Sequence, residues 1–145
     1  MTVKPSYPIV AEPLGGCTLH QLSVRGDQRG ALVALQAREL QADLARVYYI
    51  FNTLPGIARG FHAHRRLHQF VVPICGSCAM VLDNGTERTR VVLDRPDHGL
   101  SLPPMIWHDM MDFSPGHVLL VLANAPYEEA DYIKDYEAFL AEVRS

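Results

Sequence analysis

The sequence is poor in cysteine. Three of its 145 residues are cysteines, Cys17, Cys75 and Cys78, and an odd number of thiols does not make a disulfide framework. Cys75 and Cys78 have the C-x-x-C spacing of redox and zinc sites. A redox pair would open a helix, whereas this one lies between two β-like runs, and a zinc site would need a second cysteine pair. The pair therefore reads as two small, partly buried residues flanking a tight turn. Long apolar runs are missing too: none approaches the roughly 20 residues that span a bilayer. The opening MTVKPSYPIVAEPLGG places prolines and a glutamate where a signal peptide needs an unbroken apolar stretch. A cytoplasmic location without membrane contact is expected. Neither sign of charge dominates, since 13 Lys and Arg against 16 Asp and Glu give a formal net charge of −3. That balance provides no electrostatic footprint for nucleic acid. A Gly-rich dinucleotide fingerprint and a phosphate loop are likewise missing.

What is present is an ordinary globular mix, 48% hydrophobic and 20% charged, long enough for one core and too short for two. One domain over residues 1–145 is expected. The patterning is mostly β. Thr18–Val24 alternates imperfectly, Arg46–Asn52 is β-branched and aromatic, and His68–Cys75 and Ser77–Leu82 are apolar runs broken at Gly76. Asn84-Gly85 then predicts a two-residue hairpin turn with positive φ at both central residues, followed by alternation over Thr86–Leu93. His117–Asn124 reads as a core strand. Short strands separated by Gly, Pro, Asn and Asp predict a sandwich or barrel. Only the tail has helical spacing: Tyr132, Ile133, Tyr136, Phe139, Leu140 and Val143 recur on one face between Asp131 and Arg144. A short helix near Arg38–Leu44 is also predicted.

The chemistry gathers in two segments. In Gly60-Phe-His-Ala-His64, residues two apart on a strand share a face, so His62 and His64 project into one cavity, with Gln69 and a later strand completing its lining. The second segment runs from Gly99 through Pro103 and Trp107 to His108, with Asp112 four residues on. A neutral imidazole is a competent general base at pH 7. Arg59 is a donor for a developing oxyanion or a substrate phosphate, although its simplest role is a surface ion pair. Tyr48 or Tyr49 would donate to a carbonyl oxygen, and only one of them can face inward. His20, His98 and His117 fall outside these segments and are expected at the surface or in loops. His68 is expected outward or at a rim.

Together the two segments resemble the cupin motifs, through H-x-H-x4-Q-x6-G and a downstream Pro/His segment. Gln69 stands where cupins have a metal-binding glutamate, and Met105 where the second motif has glycine. A metal set of His62, His64, His108 and Gln69 would suit Zn, Fe, Ni or Mn in type, yet no carboxylate offsets the cation's charge. Longer runs are similar to one cupin family, the WxcM-like sugar-nucleotide 3,4-ketoisomerases: Asp27-Gln-Arg-Gly30, Arg46-Val-Tyr-Tyr-Ile-Phe51, Arg59-Gly-Phe-His-Ala-His64, Gly76 to Gly85, Gly99 to His108, Met111-Asp-Phe-Ser114 and Asp131-Tyr-Ile-Lys-Asp-Tyr136.

That resemblance implies an all-β cupin barrel (a double-stranded β-helix, or jelly roll) with a C-terminal helix. It implies a metal-free, cofactor-free enzyme that isomerises a dTDP-linked 4-keto-6-deoxy sugar to its 3-keto isomer, a precursor of 3-amino-3,6-dideoxy sugars, as a strand-exchanged homodimer. On the matching positions His64 is the base at C3 and His62 a second imidazole. Arg29 and Arg59 contact pyrophosphate or sugar, Tyr49 bonds near the reacting carbonyl, and Trp107, His108 and Gln69 line the pocket. Two other readings stand beside it: a metal-dependent cupin enzyme, which metal analysis distinguishes, and a non-catalytic nucleotide-sugar-binding cupin, which would bind without proton exchange at the sugar carbons.

Overall fold

The computed structural model describes residues 4–145, so the first three residues of the opening segment lie outside the described residues. Two antiparallel sheets face each other. One has the order β1 (Ile9–Leu14), β2 (Cys17–Gln21), β10 (His98–Leu102), β7 (Gln69–Cys75), β12 (Val118–Ala123), β5 (Arg46–Phe51). The other has the order β13 (Tyr132–Ile133), β6 (Arg59–His64), β11 (Trp107–Met111), β8 (Cys78–Asp83), β9 (Arg88–Leu93). A separate ribbon, β3 (Val24–Asp27) and β4 (Gly30–Val33), stands apart. The helices are short, α1 (Ala37–Leu40) and α2 (Tyr136–Val143), with a 3-10 turn at Glu129–Asp131. This is the all-β barrel of cupin type with a C-terminal helix that the sequence implied. Among the described residues no helix is long and apolar enough to cross a membrane.

Period-two alternation sorts the side chains into layers. Ile50, Val71, Leu100, Leu102, Leu119 and Val121 of the first sheet meet Cys78, Met80, Leu82, Leu93 and Met110 of the second in the central core. Leu82, Leu100 and Leu119 are at most 1% exposed, and each such side chain contributes about 1.5–3 kcal/mol. Residues of opposite parity cover the outer faces. Phe70, Val72 and Leu122 pack with Tyr7, Leu22 and Leu40 outside the first sheet. Ala63 and Trp107 pack with Ile133 and Phe139 outside the second. The polar side chains of β6 and β11 that face the interior are thus the exceptions to an apolar pattern.

Three local expectations change. The Asn84-Gly85 hairpin is not a two-residue turn: Asp83 pairs with Arg88, and the Asn84 side-chain oxygen accepts from the Thr86 and Glu87 amides at 2.9 and 2.8 Å. This Asx turn needs positive φ only at Gly85, where φ is +91°. The C-terminal helix begins at Tyr136, not Asp131, because the Asp135 carboxylate caps it by accepting from the Ala138 amide at 3.0 Å. Tyr132 and Ile133 form a strand on β6 instead. Lastly, His20, His68 and His117 are buried, and His98 is half-buried in β10. The C-x-x-C pair does flank a turn, with Cys75 exposed and Cys78 buried.

Candidate active site

His62 and His64 share the inner face of β6, their ring centroids 5.0 Å apart. β11 pairs His108 directly opposite His62, at 4.7 Å between rings. On the other edge of β6, β13 pairs Tyr132 with His64 and places its ring 4.4 Å from the His64 ring. His62, His108 and Tyr132 border a cavity of about 230 Å³ lined also by Arg46, Tyr48, Ile50, Arg59, Gly60 and Met110, and His64 packs against His62 and Tyr132 of that lining. That volume lies below the roughly 300–1,000 Å³ of pockets that engulf a drug-sized ligand, so one ring-sized group fits inside and the rest of a larger ligand extends out. A bulge explains how Arg59 joins the lining. The β6/β11 register shifts between His108 and Asp109, with φ of +94° at Gly60 and +59° at Phe61. A bulge re-aims the residues beyond it, and the guanidinium turns to the histidine side. A Cβ on Gly60 would stand 2.7 Å from the His108 carbonyl oxygen, so glycine is required there.

Each buried imidazole has one nitrogen tied down. His64 Nδ1 lies 3.0 Å from the Asp131 carboxylate. With Nδ1 donating, Nε2 is the free acceptor, the orientation a general base needs. Asp131 is itself held, since its other oxygen accepts from the Arg66 amide at 2.7 Å. Arg65 fastens the same turn by donating to the carbonyls of Ala130 and Tyr132 while pairing with Glu142 of α2. His108 Nδ1 donates to the Ile106 carbonyl at 3.1 Å, which again leaves Nε2 as acceptor. Burial pushes the His64 pKa down to about 4, helped by His62 and opposed by Asp131. Burial also lowers His62 and takes His108 to about 3. All three are neutral at pH 7, poised to take a proton rather than give one.

Residues 15–144 match the family described as WxcM-like, C-terminal, or FdtA. The chain belongs to this family. It is 45% identical over 114 residues, 78% of this chain and 82% of the other, to the TDP-4-oxo-6-deoxy-alpha-D-glucose-3,4-oxoisomerase of Aneurinibacillus thermoaerophilus. Its structure resembles a 3,4-ketoisomerase from Helicobacter canadensis, with a TM-score of 0.86, 38% identity, and coverage of 89% of this chain and 98% of that one. A second 3,4-ketoisomerase, from Thermoanaerobacterium thermosaccharolyticum and solved in complex with TDP-4-keto-6-deoxyglucose, gives a TM-score of 0.86 at 34% identity, covering 88% and 94%.

Within this FdtA-family barrel the expected site residues separate. His62, His64, His108 and Arg59 come together. Tyr49 does not: it is 61% exposed on the outer face of β5 beside Phe51. Alternation turns Tyr48 inward instead, where its hydroxyl accepts from Gln69 Nε2 at 2.6 Å. Gln69 therefore meets Tyr48 and not the cavity itself. Trp107 also points away, because it precedes His108 and takes the opposite face, packing edge-on to Tyr136 under α2. Arg29 sits at the tip of the β3–β4 ribbon, paired with Asp27 at 2.6 Å and outside the cavity of this chain. Asp112 pairs with Arg90 and does not orient His108.

Three lining or supporting residues have no role in the sequence reading. Asp131 and Tyr132 were hidden by the assumed start of the helix. Recognising Asp135 as its cap releases the preceding Asp-Tyr-Ile as a strand. Arg46 enters the cavity from β5 with its Nε buried and without a hydrogen-bond partner among the described residues.

The nitrogens of His62, His64 and His108 lie within 4.8 Å of one another. No carboxylate joins them: Asp131 is engaged behind His64 and Gln69 is turned to Tyr48. Three imidazoles with an open fourth position are a donor set that zinc accepts, and a cation held there would polarise a substrate oxygen; the fourth cupin ligand is missing, because Gln69 is turned to Tyr48.

Proposed function

We propose that this chain is a single-domain cytoplasmic 3,4-ketoisomerase. It converts dTDP-4-keto-6-deoxy-D-glucose to the dTDP-3-keto-6-deoxyhexose, ahead of amination to a 3-amino-3,6-dideoxy sugar. The observation that carries this reading is the buried His64–Asp131 pair, with His64 packed against His62 and Tyr132, which line a cavity of one-ring size. Membership of a family whose relatives bear that activity in their names supports it.

Moving a ketone from C4 to C3 takes a proton from C3, forms an enediol and returns a proton to C4. His64 takes the C3 proton at Nε2, and Asp131 stabilises the imidazolium. His62 stands where it can share that charge or protonate C4. Tyr48, fixed by Gln69, donates to the carbonyl oxygen as negative charge develops. Arg59 and Arg46 hold the anionic part of the substrate at the cavity wall. Acid–base transfer contributes ~10²–10⁴-fold, and the remainder comes from positioning and enolate stabilisation.

A homodimer with exchanged strands belongs to the same proposal. Val47, Tyr49 and Phe51 form an exposed stripe on edge strand β5, and Val24 and Leu32 are exposed on the ribbon that carries Arg29. A two-stranded ribbon is marginal alone in water, and a second copy is the simplest cover for both.

The test is NMR with dTDP-4-keto-6-deoxyglucose in D2O containing EDTA. Conversion to a 3-keto sugar, with solvent deuterium at the reacting carbon, is expected. Activity that returns only with added metal would favour the convergent histidines as a metal site. Binding without conversion or exchange, by folded protein, would leave a sugar-nucleotide-binding module.

A further inference from the structure

The reaction proposed above moves two protons, and the imidazoles account for one. Carbon C3 loses a proton and C4 gains one. In addition, the hydroxyl proton on O3 must leave and O4 must acquire one, because the ketone and alcohol exchange places. A site that serves only the carbons stops at an enediolate.

Two phenols line the cavity, and they are held differently. Tyr48 is fixed through its oxygen, which accepts from Gln69, and burial pushes its pKa up to about 12. It therefore keeps its proton and serves as a stationary donor. Tyr132 is fixed by its backbone and its ring. Its carbonyl accepts from Arg65 at 3.1 Å, its strand pairs with His64, and its ring lies 4.4 Å from the His64 ring and 5.0 Å from the His62 ring. The Lys134 ammonium sits 5.4 Å from its ring centroid. Lys134 also pairs with Glu129, so transient negative charge on Tyr132 would be offset chiefly by the imidazole of His64 that has just gained a proton.

Resting on the ketoisomerase reading, we propose that Tyr132 is a further catalytic residue that carries the hydroxyl proton between the two substrate oxygens. As His64 takes the C3 proton, the C3–H electrons form the C3=C4 double bond and the carbonyl π pair moves to O4. Oxygen O4 takes the Tyr132 proton, giving the enediol and a phenolate. The phenolate then takes the O3 proton, C3=O forms, and C4 receives a proton from an imidazolium. One proton has moved from C3 to C4 and one from O3 to O4. Tyrosine and histidine return to their starting states with no net oxidation.

Tyr132→Phe removes the oxygen and keeps the ring packing. With the same substrate in D2O, conversion by the variant is expected to fall ~10²-fold or more. Deuterium exchange at C3 should fall less, because Tyr48 and the arginines still stabilise an enediolate. The ratio of exchange to conversion should rise at least about tenfold, with KM changed little. Equal losses of exchange and conversion would show a positioning role and overturn the proposal, and so would conversion within a few-fold of the parent. If Tyr132→Phe does not fold, 3-fluorotyrosine at position 132 preserves the shape. The more acidic phenol must then move the alkaline limb of the kcat profile to lower pH, and an unmoved limb overturns the proposal. A parent protein inactive in the same assay would instead overturn the ketoisomerase reading.

Discussion

Two groups of buried or half-buried histidines stand in this barrel, and their environments differ in one respect. His62, His64 and His108 gather around the cavity between the sheets, while His20, His68 and His117 lie elsewhere in the first sheet and its loops. Burial lowers the pKa of His64 to about 4 and that of His68 equally. Neither burial nor a depressed pKa therefore marks the site. The difference is which nitrogen is held: Nε2 is engaged in every member of the second group and in neither His64 nor His108. His20 uses both, Nε2 with the Thr18 hydroxyl at 2.7 Å and Nδ1 with the Tyr7 carbonyl at 2.8 Å. His68 is engaged at Nε2 by Ser101, and His117 by Thr53. His64 and His108 are tied at Nδ1 and keep Nε2 free beside a space a ligand can enter. An imidazole with Nε2 spent on a hydroxyl is a hydrogen-bonding strut; one held at Nδ1 with Nε2 free at the site is a base.

The largest expected effect tests that contrast directly. His64→Asn keeps a donor for Asp131 and removes the base, so ketoisomerase turnover should fall ~10²–10⁴-fold with a nearly unchanged Tm. His20→Asn should do the reverse. It breaks a two-sided buried bond network at about 1–3 kcal/mol, lowering Tm by several degrees while turnover at 25 °C stays within a few-fold. Loss of activity in His20→Asn at unchanged Tm would erase the distinction between the two groups.

A smaller loss is expected when the support of the base is altered and the base kept. Asp131→Asn retains the shape of the side chain but can present its amide to Nδ1, which favours the wrong tautomer and removes the charge that stabilises the imidazolium. Turnover should fall ~10²-fold, mainly in kcat. Full activity in Asp131→Asn would mean that His64 needs no partner and that the 3.0 Å contact is structural.

Much of this site is legible in the sequence because period-two alternation is strict within a strand. His-x-His on β6 predicts a shared face, and His108 follows once β11 is recognised. The same rule left Tyr48 and Tyr49 ambiguous, since an aromatic pair in a half-exposed edge strand satisfies either register. Only the pairing of Tyr48 with Gln69 across two strands decides it. Trp107 misled because large aromatics suit a pocket wall and an outer core equally, and here α2 supplies that outer core. Asp131 lay beyond reach for a different reason. It meets His64 from 67 residues away, and a helical stripe that continued past its true cap concealed the strand that brings it there.

The smallest expected effect is an absence of change, and it sharpens the comparison most finely. Catalysis needs neutral His64, and its pKa is pushed down to about 4. Lowering the pH from 7.5 to 5.5 should then reduce kcat/KM less than about twofold, where an unshifted imidazole near 6.5 would lose about tenfold. Stability should behave oppositely over the same range. In the unfolded chain His64 and His68 return to about 6.5, so below that value the unfolded state binds more protons than the folded state and ΔG of unfolding declines as pH falls toward 4. Each of these buried histidines adds a slope of at most about 1.4 kcal/mol per pH unit. A flat kcat/KM profile over a sliding Tm is the signature of buried neutral imidazoles, one serving chemistry and one serving only the fold. His68→Gln should remove part of the Tm slope and leave the activity profile in place. A profile that bends near pH 6.5 would instead place the working base in a solvated position, outside the His64–Asp131 pair.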